Sequence, residues 1–137
     1  MYYIEENRGK IQFLDCARQT ILFDGLVTPG KGSPTDIDGL IEWHDRGYLI
    51  FEAKFGGAEI PYGQRLALSR MADALSWAGK DTVVVICEHH VADTNEPVVL
   101  AETFVRGYYH RGTWWHHLDG VKIGRFTQRF LSFLEKK

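Results

Sequence analysis

Cysteine occurs only twice in the 137 residues, as Cys16 and Cys87, far apart and each in an apolar-looking segment. That usage reads as two free buried thiols rather than a disulfide or a metal pair. Long apolar runs are missing as well. The longest, such as 82–87 (TVVVIC), are strand-sized, and the N-terminus MYYIEENRGK has no apolar stretch of signal-peptide type. The chain is therefore expected to be soluble and cytoplasmic, with no membrane partner. Nor does one sign of charge dominate: 16 Lys and Arg against 18 Asp and Glu leave a formal net charge of −2. This balance argues against a uniformly basic nucleic-acid binder, although a local patch of Lys and Arg could still meet an anion. Repeats, low-complexity tracts and long linkers are also lacking; the one Gly/Pro/Ser-rich stretch, 28–34 (TPGKGSP), reads as a loop.

What is present suffices for a core. With 45% hydrophobic residues, the chain is long enough for one compact domain, expected to span 1–137. Residues 11–22 place Ile11, Leu14, Ala17, Arg18, Ile21 and Leu22 at largely helical spacing, with Gly25 as a stop. Pro61 opens a second helix that runs to Ala78 and ends at Gly79. The run 82–87 reads as a strand buried on both faces, and 98–109 and 113–117 as strands around a turn at His110, Arg111 and Gly112. Residues 120–134 form a closing amphipathic helix whose apolar face, Ile123, Phe126, Phe130, Leu131 and Leu134, closes the core or joins a homodimer. The fold class expected is α/β, a mixed central sheet flanked by helices on both faces.

The segment 35–56 (TDIDGLIEWHDRGYLIFEAKFG) carries the chemistry. Two apolar runs meet at a polar turn, yet Asp36, Asp38, Glu52 and Lys54 are set into their far ends. A three-residue loop Asp45-Arg46-Gly47, closed by a left-handed glycine, pairs His44 with Tyr48, Glu42 with Ile50, Leu40 with Glu52 and Asp38 with Lys54. All four charges then project from one face, and Ile37, Gly39, Ile41, Trp43, Leu49, Phe51 and Ala53 from the other. Neighbouring carboxylates on a rigid hairpin repel each other unless a cation sits between them. An all-oxygen site completed by a backbone carbonyl and waters suits Mg²⁺ or Mn²⁺. Lys54, two residues from Glu52 on the same face, can then hold an attacking water or offset charge growing on a phosphoryl group. The plainer alternative is a cross-strand salt bridge between Asp38 and Lys54 on a solvated face.

Asp38-Gly39, then Glu52-Ala53-Lys54 closing the next strand, then a helix opening with Tyr62-Gly63-Gln64, resembles the PD-(D/E)XK nuclease superfamily, small phage-encoded members above all. The resemblance covers about 11–88 and implies a restriction-endonuclease-like core of helix, three-stranded meander, helix and strand. It also implies that Asp38 and Glu52 bind the metal, that the Ala53 carbonyl completes its protein ligands, and that Lys54 orients the water. Ile37 stands where the family name puts proline, and Pro34 lies further back, so Asp36 is an alternative to Asp38. A glutamate from the first helix would correspond to Glu5, Glu6 or Asp15. The expected activity is divalent-metal-dependent phosphodiester hydrolysis, with DNA the favoured substrate, in a bacterial or phage-infected cell. The alternative is a nucleic-acid-binding accessory protein on the same fold with little or no cleavage.

Gln64 lies four residues before Leu68 on the apolar stripe continued by Met71 and Leu75, so it faces inward near the helix N-terminus. It either bonds a ligand carboxylate, a water or a phosphate, or caps a loop. Arg65 is a candidate phosphate contact. The stretch 106–115 (RGYYHRGTWW) mixes basic and aromatic residues as single-strand-binding surfaces do, which makes Arg111 and Trp114 candidates for contact with nucleic acid and the aromatics equally candidates for core. The pairs His89-His90 and His116-His117 point to opposite faces if on strands, a poor arrangement for zinc.

Overall fold

The structure, a computed structural model, describes residues 20–26, 30, 34–116 and 120–137. Two compact units divide the chain, Met1–Pro34 and Thr35–Lys137. Of the first, the described residues form a turn around Gly25, and Ile21, Leu22 and Leu26 are exposed. The helix expected over 11–22 lies outside the described residues except for 20–22, which are not helical; Glu5, Glu6, Asp15 and Cys16 lie outside them too.

In the second unit, β1 (Gly39–Trp43) and β2 (Gly47–Phe55) form the expected hairpin, but its register is two residues away from the sequence expectation. Tyr48 faces Glu42 rather than His44, and Ile50 faces Leu40 rather than Glu42. The cause is the turn. His44 and Asp45 hold the left-handed conformation, with φ of 46° and 62°, and the Arg46 N–H donates to the Trp43 carbonyl at 2.8 Å. Two consecutive left-handed residues make a type I′ turn, whose twist matches the strands. The Glu42 carboxylate steadies it by accepting the Asp45 N–H at 2.6 Å. Gly47 serves packing instead: a Cβ there would stand 2.0 Å from the Asp81 carbonyl oxygen, where β3 begins alongside.

Helix α1 (Tyr62–Trp77) follows Pro61. Its end is closed by Gly79 at φ 87°, with Gly79 N–H donating to Ser76 and Lys80 N–H to Leu75, a Schellman motif. The chain then returns as β3 (Asp81–His89), parallel to β2 and buried from Asp81 through Cys87. The strand expected over 98–109 is divided: Leu100–Glu102 is a 3₁₀ turn, and β4 is Phe104–His110. Arg111 and Gly112 turn the chain at φ 50° and 84° into β5 (Thr113–His116). The five strands lie in the order β1-β2-β3-β4-β5, and only β2 and β3 run parallel. The sheet is therefore mixed, as expected. Two strands, not a three-stranded meander, precede α1 among the described residues.

Alternating strand residues feed two cores. Leu49, Phe51, Val83, Val85 and Val105 pack with Ile123, Phe130, Leu131 and Leu134 of helix α2 (Ile123–Glu135). Ile50, Val84, Ile86 and Tyr109 pack with Leu68 and Ala72 of α1. The α1 stripe is thus Gln64, Leu68 and Ala72 at intervals of four; Met71, expected inside, is 39% exposed. The apolar face of α2 closes the core as read from sequence. Among the described residues, no helix is long and apolar enough to cross a membrane.

Candidate active site

Strand parity sends Glu52 and Lys54 to the face covered by α1, because Ile50, two residues before Glu52, packs there. Continuing the observed register past Gly39 opposite Phe51 sets Asp38 opposite Glu52, a closer approach than the expected diagonal. At this point the ladder stops. The Ala53 N–H donates to Asp38 Oδ2 at 2.7 Å, so a side chain takes the bond that the next residue pair would have made. In an extended strand the N–H and C=O of one residue point to the same edge. The Ala53 carbonyl is accordingly turned toward Asp38.

Glu52 is 3% exposed. Its Oε1 lies 3.4 Å from Lys54 Nζ, whereas Oε2 is buried without a hydrogen-bond partner. Burial raises the Glu52 pKa, the Asp38 charge raises it further, and hydrogen bonding by Gln64 together with the Lys54 charge only partly offsets them. Gln64 reaches this carboxyl from the first turn of α1, so Asp38, Glu52, Lys54 and Gln64 come together at the C-terminal end of β2. The ion pair of Lys54 is with Glu52, not the Asp38 pairing of a simple salt bridge. Below the sheet Cys87 is a free thiol, pushed up to about 12 by burial.

The same face continues across the sheet. Glu52 neighbours Ile86, Ile86 neighbours Gly107, and Gly107 neighbours His116; one row along, Lys54 neighbours Glu88. Between Ile86 and Cys87 the β3–β4 register shifts by one, and the extra residue is Arg106. Such a bulge re-aims a side chain. Arg106 bonds Glu88 at 3.1 Å and the carbonyls of Gly56 and Ala58, tying the loop after β2 to the sheet. Beside it lies a cleft of ≈ 270 Å³ whose lining includes Ile60, Arg65, Arg106, Gly107, Trp114 and His116. The Arg65 guanidinium sits 4.8 Å from the Trp114 ring centroid.

Arg111 is not part of this face. It bonds Asp81 at 2.7 Å, and its guanidinium lies over the Phe133 ring. Asp81, 4% exposed, is also bonded by His110 and Lys137. Burial alone would raise its pKa, but the bonds from Lys137, His110 and Arg111 outweigh burial and lower it. This cluster begins β3, whereas Glu52 pairs with Ile86 near its end.

Glu88, Arg106 and His116 went unread as members of the site. Parity could have found Glu88, which shares its face with Val84 and Ile86. Arg106 depends on a bulge that no local pattern announces.

As a divalent-ion site, two carboxylates and a carbonyl on one strand edge supply hard oxygen donors, and the partnerless Oε2 is an acceptor in need of a positive charge. Among the described residues no group of three or more His, Cys, Asp or Glu could hold a metal, so water or substrate oxygens would have to complete the shell. Comparison with known proteins yields no matching family model, no matching curated protein and no matching solved structure.

Proposed function

We propose that this chain is a divalent-metal-dependent nuclease, resembling the PD-(D/E)XK superfamily, that hydrolyses phosphodiester bonds, DNA being the favoured substrate. The observation that carries the reading is Glu52: a buried carboxylate with one oxygen unpartnered, set against Asp38 and beside the Lys54 ammonium. A sheet clad by one helix against each set of alternating residues is in keeping with a restriction-endonuclease-like core. Asp38, Glu52 and the Ala53 carbonyl would hold Mg²⁺ or Mn²⁺. When bound, the ion would lower the pKa of a water and offset charge on the phosphoryl oxygens. Lys54 hydrogen-bonds the attacking water and stabilises charge that grows on the phosphate, a role that needs its ammonium fixed, as its contact with Glu52 fixes it. Gln64 orients the Glu52 carboxyl from the helix above.

The site lies at the carboxyl end of the parallel pair β2 and β3, where open α/β sheets commonly bind ligands. That no group of three or more His, Cys, Asp or Glu among the described residues could hold a metal favours, as the second reading, a nucleic-acid-binding accessory protein that does not cut. A cleavage panel separates the two. Single-stranded, duplex and branched DNA and RNA are incubated with Mg²⁺, Mn²⁺ or chelator. Cutting that requires a divalent ion and disappears in Glu52→Gln is expected, and binding without cutting under every condition would leave the accessory reading.

A further inference from the structure

The lysine of the proposed site has two acids as neighbours on its face of the sheet. Lys54 lies directly across from Glu88 in the β2–β3 ladder, where adjacent strands run about 4.8 Å apart. Both residues face α1, Lys54 by its parity with Ile50 and Glu88 by its parity with Val84 and Ile86. Opposite charges on neighbouring strands attract each other. Lys54 nonetheless pairs with Glu52, two residues back on its own strand, at 3.4 Å.

Glu88 is occupied from elsewhere. Arg106 Nε donates to its Oε1 at 3.1 Å, and His90 Nε2 stands 3.3 Å from its Oε2. Of the two partners, Arg106 carries the permanent charge and is the better enclosed, its side chain 26% exposed against 65% for His90. Its other two guanidinium nitrogens donate to the carbonyls of Ala58 and Gly56, so all three nitrogens of the planar fork are fixed at once. The bulge makes this possible. In an unbroken ladder continuing from Ile86 opposite Gly107, Arg106 would oppose Cys87, whose side chain belongs to the α2 core. The shift gives that place to Val105 and turns Arg106 toward Glu88.

We propose that Arg106 is a positioning residue for Lys54: by holding the Glu88 carboxylate, it leaves the Lys54 ammonium to Glu52 and to the phosphate beside it. The phosphate enters only through the nuclease reading, on which this inference rests. Without the guanidinium, Glu88 becomes a competing carboxylate one strand away from an ammonium on a flexible stem. Because β3 and β1 lie on opposite sides of β2, a pull toward Glu88 is a pull away from Asp38. A partly solvated ion pair biases such a choice by at most about fivefold. The effect on turnover is therefore small beside the loss of the ammonium itself.

The test pairs crystal structures grown in chelator with cleavage kinetics on single-stranded and duplex DNA in Mn²⁺. In Arg106→Gln, Lys54 Nζ should stand within about 4 Å of the Glu88 carboxylate, and kcat should fall about two- to fivefold with KM little changed. Adding Glu88→Gln to that variant removes the competing charge without restoring the bonds to Gly56 and Ala58. Nζ should then return to Glu52, and most of kcat with it. Arg106→Lys covers the case in which Arg106→Gln fails to fold: it keeps a charge facing Glu88 but cannot hold both carbonyls, so Nζ should remain on Glu52 although Tm falls. Lys54 still on Glu52 in Arg106→Gln overturns the proposal, as does Lys54 on Glu88 in Arg106→Lys. A loss of kcat that persists in the double variant overturns it too, leaving Arg106 as a brace for the loop after β2. A wild type that never cuts refutes the nuclease reading, and the crystal structures still decide the positioning; a wild type that cuts while Lys54 stays unmoved in Arg106→Gln refutes only the positioning.

Discussion

Glu52→Gln isolates the electrostatic cost at the centre of the proposed site. In the wild type, Glu52 is buried, opposed by the Asp38 charge and left with one unpartnered oxygen, and its pKa is raised. An unpartnered buried polar atom costs about 1–3 kcal/mol and more when charged; the amide removes the charge and its repulsion with Asp38, a gain of about 1–3 kcal/mol. Against that gain stands the contact with Lys54, whose side chain is 22% exposed; losing such a partly solvated pair costs about 1 kcal/mol. The balance is about 0 to 2 kcal/mol in favour of the variant. For a unit of this size about 4 °C accompanies each kcal/mol, so Tm should rise by about 0 to 8 °C in chelator. The pH dependence carries the sign. A carboxyl whose folded pKa lies above its unfolded value contributes stability at low pH and loses it as pH rises through the folded value. Wild type and variant should therefore melt together well below pH 4.5 and separate above it, the wild type falling behind. Saturating Mn²⁺ or Mg²⁺ at about 100 times Kd should then raise the wild-type Tm by about 10 °C, from about 2.7 kcal/mol of linkage, and leave the variant nearly unmoved. Differential scanning fluorimetry across pH, with chelator and with each ion, reads all of this. Equal metal shifts in the two proteins would remove Glu52 from the ligand set, and a variant melting well below the wild type at pH 7 would refute the assigned cost.

Lys54→Ala should keep the metal-induced rise in Tm while losing cleavage by at least about a hundredfold, and unchanged turnover would remove the ammonium from the mechanism. Asp81→Asn should destabilise by about 2 kcal/mol at pH 7, less than the about 3–5 kcal/mol of a fully buried pair because Arg111 and Lys137 are partly exposed; urea titration measures it. Its lowered pKa means the contribution is present above pH 3.8 and lost as pH falls through the folded value, so the variant's deficit should shrink in acid. Gly47→Ala should be among the most damaging small substitutions, by about 3 kcal/mol or more, since its Cβ would meet backbone at 2.0 Å; a Tm within 2 °C or so of wild type would contradict that packing.

The faces of the hairpin were legible because parity survives the error in register: a shift of two residues returns each side chain to its own side. Hence Glu52 and Lys54 stand on the α1 face and Leu49 and Phe51 on the other, as the alternation foretold. The register itself was hidden in the turn. Gly47 drew the left-handed assignment, but His44 and Asp45 adopt it, and Gly47 answers to the approach of Asp81. A neighbour 34 positions away has no local signature. The strand over 98–109 failed for a related reason: Val98 and Val99 have strand composition but are exposed, and the chain makes a 3₁₀ turn before the ladder resumes at Phe104. At Met71 and Ala72 the helical period fitted either residue, and contact with the sheet chose the smaller one. Gln64 was found because an inward polar residue on an apolar stripe is an exception that periodicity exposes.

Two carboxylates near opposite ends of the same sheet region make the strongest internal comparison. Asp81 and Glu52 are buried to nearly the same degree, 4% and 3% exposed, so desolvation pushes both toward the neutral form. At Asp81 a histidine, an arginine and a lysine converge at 2.7–2.8 Å and reverse the push. At Glu52 one lysine stands at 3.4 Å, a second carboxylate adds repulsion, and an oxygen is left without a partner. The chain therefore neutralises the buried acid at the start of β3. Leaving the other one in deficit, between an aspartate and the carbonyl edge of a strand, fits the proposal of a place for positive charge from outside. Under the proposed function that charge is the divalent ion, and the deficit is what gives the ion its differential affinity for the folded chain.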